Sequence, residues 1–137
     1  MSLFTLDESR GWSMHHMNGN IVKIKLTKKK DDYVHVDGID NVGWQDLTVE
    51  QRKKWNRTTA HTSRAVFSGE VTYEPWHDVP CSYIICEQYQ ALPPALQEFF
   101  ASKMDAPGTT YRLPSSHSPF LSMPDRLVDV LREIVKV

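Results

Sequence analysis

The sequence predicts an α/β protein with a short parallel sheet, and the prediction rests on three stretches in its second half. CSYIICEQ, opened by Pro80, has a continuous apolar centre rich in β-branched and aromatic residues, which suits a strand covered on both faces. ALQEFFASKM follows Pro93-Pro94 and reads as a helix that Pro107-Gly108 closes. TTYRL is a second strand, and after the loop SSHSPF a last helix opens at Pro124, with Leu127, Val128, Leu131, Ile134 and Val135 at one-face spacing. Strand 82–87, helix 94–104, strand 109–113 and helix 124–136 therefore spell a β-α-β-loop-α unit, a right-handed parallel crossover.

The first half is less regular. The first twenty residues carry two glycines and mixed signals, and are expected to be irregular or weakly helical. IVKIKLT alternates apolar residues with lysine as a half-buried strand does. After the polar turn KKKDD, YVHVDG completes a hairpin. Thr48 with Gln51 three residues on is a capping-box signature, so a mostly helical segment is expected from 46 to 67, with a possible break at Thr58 and Thr59 and a stop at Ser68-Gly69. All 137 residues are expected to form one domain, residues 1–74 as hairpin and cap-like region and 75–137 as the crossover unit.

Charge excludes some functions. The net charge is −1, so no global field draws nucleic acid or an anionic membrane. The basic stretch from Lys23 to Lys30 runs into Asp31 and Asp32, as a solvated hairpin tip does. No apolar run approaches the ~20 residues of a membrane span, and no signal-peptide core is visible, so a cytoplasmic protein is expected. Cys81 and Cys86 lie on opposite faces of an extended segment, ~16 Å apart at the usual rise, and are expected to be buried, reduced thiols.

Candidate chemistry centres on His117, presented between Ser116 and Ser118 at the end of a strand. An imidazole there suits proton transfer near neutral pH. Gly11-Trp12-Ser13-Met14-His15 matches only the start of a G-x-S-x-G nucleophile elbow, with charged LDESR before it and helix-breaking HMNGN after it, which makes Ser13 a weak candidate nucleophile. His15 and His16 have no third ligand at a metal-binding spacing; no metal and no cofactor is expected. His35 in the hairpin, His61 mid-helix and His77 before a strand suit surface or packing roles, and Trp12, Trp44, Trp55 and Trp76 suit the walls of a cavity or core.

VPCSYIICEQYQALPPALQEFF followed by TTYRLPSSHSPFLSMPDRLVDVLREI resembles the C-terminal part of α/β-hydrolase-fold proteins, in the fungal branch related to plant methylesterases and hydroxynitrile lyases. The likeness is specific over residues 75–136. It is looser over 33–74, which resembles the family's cap up to Glu74-Pro75-Trp76. It implies a truncated hydrolase-like fragment without the nucleophile half, with His117 at the catalytic-histidine position. Tyr89 stands where the family carries its acid, with Glu87 close by. A tyrosine cannot stabilise imidazolium as a carboxylate does, so the pair favours a neutral histidine. The resemblance then implies a small-molecule acid/base enzyme of secondary metabolism (an isomerase, cyclase or lyase) using His117 and Tyr89, with Glu87, Ser116 and Ser118 in support. The alternatives are a non-catalytic remnant that binds a ligand or partner, and one half of a split or truncated esterase. Because the 83–86 strand would lose its neighbour, its open edge is expected to pair with a second copy or with a complementary hydrolase-like chain.

Overall fold

The computed structural model describes residues 4–7, 11–15, 21–22, 26–28, 33–36, 38–67, 72–104 and 109–135. The parallel pair is present: β7 (Tyr83–Cys86) runs beside β8 (Thr110–Leu113) in the register Tyr83↔Thr110 to Cys86↔Leu113. Between them lies α3 (Pro94–Lys103), and β8 is followed by a short α4 (Pro119–Ser122) and by α5 (Pro124–Val135). The α4 turn was not legible as a helix. Proline at the first position of α3, α4 and α5 starts each without spending a backbone donor.

The core sits where α3 crosses the two strands. Ile85, Leu96 and Leu113 are fully buried, and Ala91 and Ala101 close around them. Leu47, carried in from the first half of the chain, is buried as well. Leu96 and Gln97 recur one turn later as Phe100 and Ala101, which is why this face of α3 packs inward. The thiols differ from expectation. Cys81 and Cys86 are free but only half-buried, because Cys81 precedes the strand and Cys86 ends it.

The open edge of β7 is partly closed. Tyr83 N donates to Thr109 O (3.0 Å) and Glu87 N to Leu113 O (2.9 Å), so alternate residues 83, 85 and 87 face β8. Ile84 and Cys86 then present their peptide groups to the other side. The Gln97 side chain takes both groups of Cys86, accepting from its N (2.8 Å) and donating to its O (2.9 Å). Ile84 has no such partner among the described residues.

The first half corrects the sequence reading. Residues 4–7 and 11–15 are not irregular or weakly helical but form the antiparallel strands β1 (Phe4–Asp7) and β2 (Gly11–His15). Their register sets Phe4 opposite Met14 and Leu6 opposite Trp12, so a short period-two apolar pattern finds its match only in the partner strand. The expected hairpin is present, but IVKIKLT is divided between two sheets. β3 (Ile21–Val22) pairs with β2, whereas β4 (Leu26–Lys28) pairs with β5 (Tyr33–Val36). The KKKDD turn lies mostly outside the described residues.

The cap is less helical than expected. After a short α1 (Ile39–Val42), the Thr48–Gln51 capping box forms as read and opens α2 (Val49–Asn56). The helix stops there instead of continuing to Phe67. The hydroxyls of Thr58 and Thr59 both donate to Trp55 O, at 2.8 and 3.3 Å, offering that carbonyl an alternative to the helical ladder. No residue of α2 is buried, so no packed face opposes the break. The chain continues into β6 (Thr62–Ser63), which pairs with β5, and into one 3₁₀ turn, Arg64–Phe67. No helix among the described residues is long and apolar enough to cross a membrane.

Candidate functional site

The ends of the two parallel strands stay joined beyond the sheet. Gln88 N donates to Ser115 O (2.8 Å), and Tyr89 N turns back to Cys86 O (3.2 Å). The 87–90 turn is thus held against the loop 114–118 at the carboxyl ends of the strands, where open α/β sheets place their ligands.

A third segment locks this loop from the far side. Between α1 and α2, residues 43–46 meet it through four hydrogen bonds spanning 70 to 74 positions of sequence. His117 N donates to Gly43 O (3.1 Å), and Ser116 N donates to Asp46 Oδ2 (2.7 Å). Ser116 Oγ donates to Gln45 Oε1 (2.7 Å), and Trp44 Nε1 donates to Ser118 Oγ (3.2 Å). Gln45 also donates to Gln88 O, and Gln90 N donates to Val42 O (3.2 Å), so both loops hang on one turn. Gly43 permits the approach: a Cβ there would lie 3.4 Å from the His117 Cβ and 2.8 Å from Ile39 Cδ1.

Each sequence candidate now has a place. The His117 backbone is anchored while the residue stays partly exposed, its ring stacked at a 33° tilt on Tyr89 with centroids 4.6 Å apart. No hydrogen bond joins the two rings among the described interactions; the contact is packing. Ser116 and Ser118 are buried, their hydroxyls engaged by Gln45 and Trp44, so they hold the loop. Glu87 faces Arg112 at 3.6 Å rather than His117, and Arg112 also pairs with Glu98. Ser13 lies mid-strand in β2 opposite Thr5, not at a strand-to-helix turn, so the elbow geometry is not formed there. Trp44, Trp55 and Trp76 are half-exposed instead of core walls, because each lies at a turn or on an unpacked helix. His77 pairs with Glu74 at 2.9 Å on the surface. His61 is not in a helix but immediately precedes β6. Among the described residues no group of three or more His, Cys, Asp or Glu could hold a metal ion.

Gly43, Gln45 and Asp46 were not singled out from sequence. GWQD carries no spacing motif, and its partners lie far along the chain. Beside the turn an open cleft of about 530 Å³ runs between Gln45, residues 87–90 and the Pro93-Pro94 wall, with Tyr89 shared between the cleft and the histidine.

Electrostatics sets the protonation states. Desolvation lowers the His117 pKa below its ordinary 6.5. Tyr89 is raised above its ordinary 10.0, first by desolvation and then by Cys86. At neutral pH the site therefore presents a neutral imidazole against a protonated phenol. Because the folded His117 pKa lies below the unfolded one, its contribution to stability is complete above 6.5. It declines as the pH falls from there through the lowered value, since the unfolded chain protonates first. Histidine NMR titration should place the His117 midpoint below 6.5, and Tyr89→Ala should move it upward by readmitting water. A wild-type midpoint at or above 6.5 would contradict the shielding.

Comparison with known proteins adds to this geometry. The family model described as "Alpha/beta hydrolase family" matches residues 12–130. The probable hydrolase R7 of Phoma sp. is 30% identical over 115 residues, covering 76% of this chain and 45% of that protein. The alpha/beta hydrolase nvfD of Aspergillus novofumigatus is 32% identical over 65 residues, covering 47% of this chain and 26% of that protein. The crystal structure of polyneuridine aldehyde esterase superposes with a TM-score of 0.65 at 16% identity, over 81% of this chain and 48% of that one, a likeness of fold. The chain spans less than half the length of each of these relatives.

Proposed function

The chain belongs to the alpha/beta hydrolase family, and from that premise we propose that it is a cytoplasmic small-molecule acid/base enzyme of secondary metabolism, an isomerase, cyclase or lyase. One observation carries the reading: the His117 ring is stacked on Tyr89, with no carboxylate hydrogen-bonded to it among the described residues, and desolvation favours the neutral imidazole and the protonated phenol. His117 takes a proton from a carbon next to a carbonyl. Tyr89, held protonated, donates a hydrogen bond to the oxygen on which charge gathers. The imidazolium so formed has no carboxylate to hold it, so it returns the proton within the same cycle, at another atom or to a leaving group. Such a site suits enolisation or elimination better than a long-lived acyl-enzyme. The hydroxyls of Ser116 and Ser118, which flank the histidine, are already engaged by Gln45 and Trp44, which also speaks against acyl transfer through either of them.

Deuterium uptake from D₂O at the α-carbon of a panel of β-keto esters and β-diketones, followed by NMR, tests the reading. His117→Ala should lower the rate about 10²–10⁴-fold with the fold retained. Absence of wild-type uptake across the panel, or an acyl-enzyme burst with p-nitrophenyl acetate, would overturn it. The first of these outcomes favours a non-catalytic binding protein.

A second reading is favoured by Ile84 on β7, whose outward-facing peptide groups have no partner among the described residues. In it the chain is one half of a hydrolase-like assembly, completed at that edge by a second copy or by a complementary hydrolase-like chain. Light scattering decides for this chain alone: a species twice 15.8 kDa supports the second copy, and a clean monomer excludes it.

A further inference from the structure

Away from the His117 loop, the middle sheet brings together two histidines that are 26 positions apart in sequence. In the antiparallel register of β5 and β6, Tyr33 stands opposite Ser63 and Val34 opposite Thr62, so His35 and His61 occupy the next facing positions. Side chains directly opposite across an antiparallel pair lie on the same face. The two imidazole centroids are 5.6 Å apart with planes inclined at 53°. Tyr33, two residues from His35 and therefore on that face, sets its ring against His61 edge to face at 4.4 Å. His61 is exposed and His35 half-exposed, so the pair opens to solvent.

We propose that His35 and His61 form a two-histidine site for a divalent transition-metal ion of the Zn²⁺ class, which clips β5 to the segment leading into β6. Imidazole is a preferred ligand of such ions, with metal–nitrogen bonds of about 2.0–2.1 Å. A ring centroid lies roughly 1.1 Å beyond its nitrogen, which puts two rings on one tetrahedral ion about 5.2 Å apart, centre to centre. The observed centroid separation of 5.6 Å is close to that spacing. Tyr33 limits the rotation of His61 and so lowers the entropy lost on binding. Water fills the remaining coordination positions. The ion would tie down a pairing of only two residues, Thr62 and Ser63, that follows an unpacked helix.

Calorimetric titration of the full chain with ZnCl₂ tests the site. One ion per chain is expected, with affinity falling about tenfold or more in His35→Gln or in His61→Gln. Tyr33→Phe should leave binding nearly unchanged, because the ring and not the hydroxyl is used. Hydrogen exchange supplies a readout independent of stoichiometry: Zn²⁺ should slow exchange of the β5–β6 amides in the wild type and not in His61→Gln. His61 is exposed, so that variant should fold. Undiminished stoichiometric binding in the His35→Gln/His61→Gln double variant would assign the ion to other residues and overturn the proposal. So would absence of binding by the wild type up to about 1 mM Zn²⁺.

Discussion

Gln97→Leu is expected to destabilise the chain by about 3 kcal/mol and to lower its melting temperature by roughly 10 °C. Gln97 is 2% exposed, and its carboxamide makes three hydrogen bonds to the main chain. It accepts from Cys86 N at 2.8 Å and donates to Cys86 O at 2.9 Å and to Leu92 O at 2.7 Å. A helix side chain thus stands where a neighbouring strand would otherwise pair with the end of β7. Leucine has nearly the same volume, so little space opens for water to replace the amide. Three peptide groups lose their partner at about 1–3 kcal/mol each, and the added apolar burial offsets part of that loss. Chemical denaturation of wild type and variant measures the difference. A loss below about 1 kcal/mol would mean that the edge of β7 is solvated and that Gln97 does not close it.

Asp46→Ala is expected to cost about 2 kcal/mol and, more tellingly, to free the His117 ring from Tyr89. The carboxylate accepts from Ser116 N at 2.7 Å, and Ser116 is fully buried, so the alanine variant leaves that donor without a partner. The other oxygen, Oδ1, is buried with no partner among the described residues, and removing it returns some of the loss. Asp46→Asn keeps an acceptor for Ser116 N and should cost less. In the alanine variant, nuclear Overhauser contacts between the Tyr89 and His117 rings should disappear while the amide pattern of β7 and β8 persists. Ring contacts that survive would show that Gly43 and Gln45 suffice to hold the loop.

The sequence alone determined the elements whose signals act within a few residues. The Pro93-Pro94 pair located α3, and Pro124 with one-face spacing located α5, each to within about a turn, and the Thr48–Gln51 pair located the start of α2. An apolar run of strand length located β7, and the motif around His117 pointed to the family. The end of α2 was harder to read, because a run of β-branched residues had to be weighed against a helix that nothing packs upon. β1 and β2 were missed because strands this short are stabilised by the partner they meet, not by their own propensity. Only the tertiary structure decided what surrounds His117. Asp46, Gln45, Trp44 and Gly43 reach the 116–118 loop across 70 to 74 positions, and their hydrogen bonds exist only once the chain has returned on itself. The same holds for Gln97 on the edge of β7 and for His61 beside His35. Local propensity extends over about one helical turn, and the partner of a polar side chain is chosen by packing at much longer range.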